Sequence, residues 1–84
     1  MPVVIFSTRV CPYCRRAEAL LNSKGVTLQK IMVDEDAAQR AEMVRRTGRR
    51  TVPQIFIGTT YVGGFVELAE LERSGELDVL LSGA

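Results

Sequence analysis

Apolar positions alternate along this chain between short runs and helical spacing. Val3–Phe6 is a β-branched and aromatic run that predicts a strand buried on both faces. Ser7–Val10 reads as a loop. Cys11 and Pro12 then open a helix in which Ala17, Leu20 and Leu21 recur at helical spacing, up to a C-capping Gly25. Val26–Val33 predicts a second strand, with Val26, Leu28 and Lys30 on one side. Asp34-Glu35-Asp36 offers an N-cap and first-turn acids for a helix that reaches Thr47 and stops at Gly48. Its expected apolar stripe is Ala37, Ala38, Ala41 and Val44, with Arg40, Arg45 and Arg46 mostly off it. Pro53–Ile57 and Thr60–Gly63 predict two strands joined by Gly58-Thr59, a pair suited to a type II′ turn. Gly63-Gly64 breaks the second strand. Glu67–Arg73 continues as a helix with Leu68 and Leu71 inward, and Ser74-Gly75 separates it from a short helical piece, Glu76–Leu81.

The order β-α-β-α-β-β-α contains no linker, repeat or low-complexity tract, so residues 1–84 are expected to form one domain. A strand–helix–strand start implies a right-handed parallel crossover, and the hairpin adds antiparallel strands. The economical packing is an α/β fold with a four-stranded mixed sheet flanked by helices, the thioredoxin-like architecture. Composition sharpens this little: 46% hydrophobic and 25% charged residues describe an ordinary globular chain. Eleven basic against ten acidic residues leave a charge of +1, which points to no nucleic acid as partner. Arg45-Arg46-Thr47-Gly48-Arg49-Arg50 reads as a solvated helix end before it reads as a dock for acidic partners. No apolar run approaches the ~20 residues of a membrane span. The N-terminus lacks the basic n-region of a signal peptide. The expectation is a cytoplasmic monomer with no membrane partner.

Both cysteines lie in Cys11-Pro12-Tyr13-Cys14, at the join of the first strand and helix. A cysteine at a helix N-terminus faces unpaired N–H groups and the positive end of the helix dipole, which favour a thiolate. Cys11 is therefore the expected nucleophile, and Cys14, pointing inward, the resolving thiol. Arg9, Arg15 and Arg16 are close enough in sequence to add to the effect. A structural zinc wants four ligands, and the chain has two cysteines and no histidine, so no metal is expected. Two inert buried cysteines are the plainest alternative. A cluster bridging two chains through Cys11 is another, which nothing in the sequence calls for.

Cys11-Pro12-Tyr13-Cys14, Thr51-Val52-Pro53-Gln54-Ile55-Phe56-Ile57 and Gly63-Gly64, in this order and spacing, resemble the dithiol glutaredoxins of the small bacterial type, over essentially the whole chain. The resemblance implies a glutathione-disulfide oxidoreductase that has no tightly bound cofactor and takes glutathione as co-substrate. Pro53 matches the family's cis-proline, which exposes the Val52 backbone to an extended peptide. Phe65, Val66 and Glu67, after Gly64, match the site for the γ-glutamyl carboxylate and amine. There Val66 supplies its amide, and Glu67 stands where aspartate is usual. Arg40, Arg50 and Thr51 fall where the family contacts the rest of the tripeptide. Tyr13 flanks Cys11 as an access residue, and Pro12 supports the helix start. Thr8 departs from the family's Lys or Arg three residues before the first cysteine. Either Arg9 substitutes from the next position, or the carboxylate clamp is weaker.

Two routes are implied. Cys11 attacks a protein–glutathione mixed disulfide, releases the protein thiol and becomes glutathionylated, and a second glutathione regenerates it. With protein disulfides, Cys14 resolves the mixed disulfide instead. The implied partners are glutathione and glutathionylated or disulfide-bonded proteins, ribonucleotide reductase among them. The nearest alternative is a redoxin charged by thioredoxin reductase and serving ribonucleotide reductase. A dimeric carrier of a glutathione-ligated iron–sulfur centre comes from a different class, and Pro12, Tyr13 and Cys14 argue against it.

Overall fold

The structure is a computed structural model, and it describes residues 2–83. Strand β1 (Val3–Ser7) leads into α1 (Pro12–Ser23), then β2 (Leu28–Met32) and α2 (Ala37–Thr47). Strands β3 (Gln54–Ile57) and β4 (Thr60–Gly63) follow, then α3 (Phe65–Ser74) and α4 (Glu76–Leu81). The sheet order is β2-β1-β3-β4, with β1 parallel to β2 and antiparallel to β3, and β3 antiparallel to β4. This is the mixed four-stranded sheet that the element order implies.

The two faces of the sheet are filled differently. Val3, Ile5, Ile55 and Ile57 meet Ala17 and Leu21 of α1, Leu68 of α3 and Leu77 of α4 in an aliphatic core. The opposite face carries Phe6, Val33 and Phe56 beneath Met43 of α2, with the Phe6 and Phe56 rings edge to face at 6.2 Å. Arg46 closes that side by laying its guanidinium 4.0 Å from the Phe56 ring centroid.

The alanine stripe expected on α2 is not the buried one. Ala37, Ala38 and Ala41 are exposed, and Met43 is the buried residue of the helix. A methyl group gains little by burial, whereas the long thioether buries several times that area and fits irregular gaps. Asp36 alone caps α2, accepting from the Ala38 and Gln39 amides at 3.1 and 3.2 Å. Asp34 and Glu35 stay outside the helix, so its first turn carries no acid. Strand β2 is shorter than expected, because Val26 and Thr27 belong to the connection out of α1. The β3–β4 turn agrees with its residues: Gly58 has φ +59°, and among the described residues no non-glycine residue has positive φ.

Candidate active site

Cys11 is the N-cap of α1, with φ −154° and ψ 96°, and Pro12 occupies the first helical position. Proline there removes one amide that would otherwise need an acceptor. The Cys14 amide donates to Cys11 Sγ at 3.1 Å, so the sulfur does what a serine or aspartate oxygen does at an ordinary cap. The two cysteines form a disulfide with Cα atoms 5.2 Å apart. Cys14 is fully buried, whereas Cys11 keeps partial exposure. A reagent from solution therefore reaches Cys11 first.

Across from the cysteines runs the Thr51–Gln54 segment, with a cis peptide bond at Val52-Pro53. The Val52 carbonyl oxygen lies 3.9 Å from Cys11 Sγ. Gln54 holds the segment in place. It is buried, its Nε2 donates to Thr51 O at 2.9 Å, and its Oε1 accepts from the Tyr61 hydroxyl. Every polar end of this side chain is thus occupied.

Helix α3 aims its N-terminus at the same place. Its N-cap is Gly64, whose amide donates to Glu67 Oε1 at 2.6 Å. This is half of a capping box, because glycine has no side chain to return the bond. The first intrahelical bond runs from the Leu68 amide to Gly64 O at 3.1 Å, so the Phe65 and Val66 amides have no acceptor within the helix. Gly63 makes the geometry possible: its φ is +113°, and a Cβ there would lie 2.6 Å from Glu67 Oε1.

A cleft of about 250 Å³ results, lined by Tyr13, Arg49, Thr51, Val52, Pro53, Gln54, Gly64, Phe65, Val66 and Glu67. Most of the expected glutathione contacts thus share one wall or another of it, whereas Cys11 and Cys14 are outside the lining and Cys11 adjoins it through Val52. Tyr13 is about half exposed, with its ring 5.9 Å from that of Phe65 and the Arg16 guanidinium 5.1 Å from its centroid. The arginines distribute in a way that spacing alone does not show. Arg49 lines the cleft and pairs with Glu67 Oε1 at 3.6 Å. Arg40 donates to Arg50 O at 3.3 Å, and neither Arg40 nor Arg50 lines the cleft. Arg9 turns to Asp34 and Glu35, at 3.8 and 3.6 Å. Arg15 reaches down to Ser7, Thr8 and the nearly buried Glu18. Sequence reasoning gave no role to Arg49 or Gln54. Arg49 follows Gly48, whose left-handed φ of +72° turns the chain out of α2, and Gln54 is the one polar residue opening an otherwise apolar strand.

The chain resembles known proteins along its whole length. The family model described as "Glutaredoxin" matches residues 3–62. "Glutaredoxin" of Pseudomonas aeruginosa is 56% identical over 81 residues, covering 96% of each chain. "Glutaredoxin 3" of Escherichia coli is 52% identical over 79 residues, covering 94% of this chain and 95% of that one. Among solved structures, the buckwheat glutaredoxin–glutathione complex superposes with a TM-score of 0.90 at 36% identity, covering 98% of this chain and 77% of the other. The solution structure of glutaredoxin from Brucella melitensis gives 0.85 at 48%, covering 96% and 88%.

Proposed function

The chain belongs to the glutaredoxin family and is a thiol–disulfide oxidoreductase, and on that premise we propose that it works with glutathione, reducing protein–glutathione mixed disulfides by Cys11 alone and protein disulfides by Cys11 with Cys14, in the reducing cytoplasm. The observation that carries the reading is the approach of two helix N-termini to one cleft. Open amides beside Arg49 line it at the α3 end, and at the α1 end the Cys11 sulfur stands just outside the lining, 3.9 Å from the carbonyl oxygen of the cleft residue Val52. Glutathione has a thiol, two carboxylates and an ammonium on a short extended backbone. Each finds a counterpart of the right sign here.

The Val52 backbone lies beside Cys11 and pairs with the cysteinyl unit of the tripeptide. The Phe65 and Val66 amides, at the positive end of the α3 dipole, hold one carboxylate. Arg49 supplies full positive charge to the lining, which Thr51 shares, while Arg40 and Arg50 stand outside it, Arg40 donating to Arg50 O. Glu67 spends Oε1 on the Gly64 amide and Arg49, and no protein hydrogen bond to Oε2 occurs among the described residues. That second oxygen is the partner for the ammonium. Tyr13 walls the approach, and Pro12 keeps the helix start that presents the sulfur. Arg9, held by two acids, acts on the cysteines only through the loop it steadies.

In the chemistry, the Cys11 thiolate attacks the glutathione sulfur of a protein–S–S–glutathione disulfide. The protein leaves as a thiolate that takes a proton from water, and Cys11 becomes linked to glutathione. A second glutathione thiolate attacks that glutathione sulfur, forming oxidised glutathione and returning Cys11 as thiolate. With a protein disulfide, Cys11 attacks one sulfur and frees the other as a thiolate that takes a proton. Cys14 then gives up its proton and displaces the protein as a second thiol, closing the Cys11–Cys14 bond seen here, which two glutathione molecules reduce as they become oxidised glutathione. The helix-end amide that holds Cys11 Sγ favours it both as attacking and as leaving thiolate.

The test is a coupled assay on one mixed disulfide, run with glutathione and glutathione reductase beside one with thioredoxin reductase and no glutathione. Turnover with glutathione is expected. Turnover with thioredoxin reductase alone would overturn the proposal.

A further inference from the structure

A second concavity opens on the far side of Val66 and Glu67. It measures about 540 Å³ and lies between β4 and the α3–α4 pair, floored by Val62, Leu71 and Leu80 and walled by Tyr61. Two observations separate it from an ordinary surface dip. Its lining contains three carboxylates, of Glu67, Glu70 and Glu76, and no lysine or arginine. It also shares Val66 and Glu67 with the cleft, so the two hollows are continuous across one ridge. Val66, on that ridge, is among the few exposed large hydrophobic residues of the described chain.

The strand bordering the groove is β4, at the edge of the sheet, whose outer backbone groups have no strand to pair with among the described residues. An extended segment can lie along such an edge, gaining main-chain hydrogen bonds while alternate side chains enter the hollow. Charge selects which segment. Glu70 is paired with Arg73 at 2.8 Å, but Glu76 has no ion pair among the described residues. An apolar floor rimmed only by acids favours apolar side chains flanked by lysine or arginine.

We propose that this groove docks a basic, apolar segment of the protein substrate while that substrate's sulfur is held at Cys11. The proposal rests on the glutathione-dependent reading above and names the class of protein it serves best. A segment tethered through the reacting disulfide meets the groove as an intramolecular partner, so even a weak contact raises kcat/KM.

Two glutathionylated peptides of equal length test it, one with leucine and lysine on both sides of its cysteine, the other with leucine and aspartate. The glutathione mixed disulfide of β-mercaptoethanol serves as a substrate too small to reach the groove. At ~0.15 M salt, where charges more than about 8 Å apart are screened, the lysine peptide is expected to have about five- to tenfold higher kcat/KM, the worth of two exposed charge pairs. The double variant Glu70→Gln, Glu76→Gln should erase that preference and leave the small substrate within about twofold. Equal rates for the two peptides, or a preference that survives in the variant, would overturn the proposal. Binding is followed separately by NMR on Cys14→Ser protein carrying the lysine peptide as a mixed disulfide on Cys11, which should shift signals of Val62, Leu71 and Leu80, and not when Glu70 and Glu76 are also replaced. Unmoved signals reject the docking site whatever the assay shows. Failure of the small mixed disulfide to react with glutathione rejects the glutathione reading instead.

Discussion

At the start of α1 the N-cap is a cysteine whose sulfur accepts the Cys14 amide at 3.1 Å; at the start of α3 it is a glycine whose own amide donates to Glu67 at 2.6 Å. Both ends point at one cleft, and both have the surplus of N–H groups that every helix N-terminus has. In α1, Pro12 removes one of those groups and Cys11 takes another, so the positive end is used on the protein's own sulfur. In α3 there is neither proline nor a capping side chain, and the Phe65 and Val66 amides stay open to a ligand. The same local physics makes a nucleophile at one end and an anion site at the other. The difference lies in which atom caps the helix.

Removing the sulfur breaks the first half of this comparison outright. Cys11→Ser should reduce turnover of every disulfide substrate to background, because the hydroxyl that replaces the thiol stays protonated at neutral pH. Cys14→Ser should keep reduction of glutathione mixed disulfides and lose turnover of protein disulfides, as steady-state assays on both substrates would show. Retention of protein-disulfide turnover by Cys14→Ser would reverse the assignment.

The α3 end can be strained without touching the sulfur. Gly63→Ala puts a side chain at φ +113° and against Glu67, and should cost about 1–3 kcal/mol in urea unfolding. Gly64→Ala is the control: φ is −94°, and the added Cβ would sit 3.4 Å from Pro53 O and Glu67 Oε1, ordinary contact distances. Its effect should be no more than a few tenths of a kcal/mol beyond a glycine-to-alanine change at an N-cap. Equal losses would mean that the left-handed turn is not what Gly63 provides.

Arg49→Ala sharpens the binding half. The cleft loses the charge paired with Glu67, so KM for glutathione should rise about three- to tenfold, the worth of one ordinary net hydrogen bond of about 0.7–1.4 kcal/mol, with kcat nearly unchanged. A fall in kcat with KM unchanged would place Arg49 with the reacting sulfur.

The smallest effect expected lies away from the cleft. Lys24, at the end of α1, reaches Asp78 of α4 and Glu72 of α3 at 2.8 and 2.7 Å. Hydrogen bonds to Asp78 and then Glu72 raise its ammonium above the usual value of 10.5. A raised folded-state value means that its stabilisation is complete below about pH 10.5 and fades as pH climbs through the higher folded value. The Tm gap between the parent and Lys24→Met should therefore be small, constant from neutral pH to about pH 9, and narrower above about pH 10.5.

Elements with local causes were legible in the sequence. Cys11 and Pro12 announce the α1 start by cap and proline chemistry, Gly58-Thr59 announces the hairpin, and three separated motifs point to one family. What the sequence left open depends on packing between elements. On α2 the expected Val44 packs against the core, but Ala37, Ala38 and Ala41 do not, because buried area follows volume and favours Met43. Asp34 and Glu35 looked like first-turn acids and instead answer Arg9 across the β1–α1 loop. Among Arg45, Arg46, Arg49 and Arg50, no local signal says which faces the cleft. The left-handed Gly48 and the position of α3 decide for Arg49, while Arg46 lies over Phe56. Gln54 stood inside a recognised motif, but its role appears only once Thr51 and Tyr61 are placed around it.

The division of labour between the two helix ends is tested most directly by trapping the intermediate. Cys14→Ser protein is mixed with oxidised glutathione, and the product is mapped by mass spectrometry. The account predicts one glutathionyl group, on Cys11, formed rapidly and removed by reduced glutathione, and no comparable reaction in the Cys11→Ser protein. Glutathionylation of Cys14 in the Cys11→Ser protein at a matching rate would contradict it.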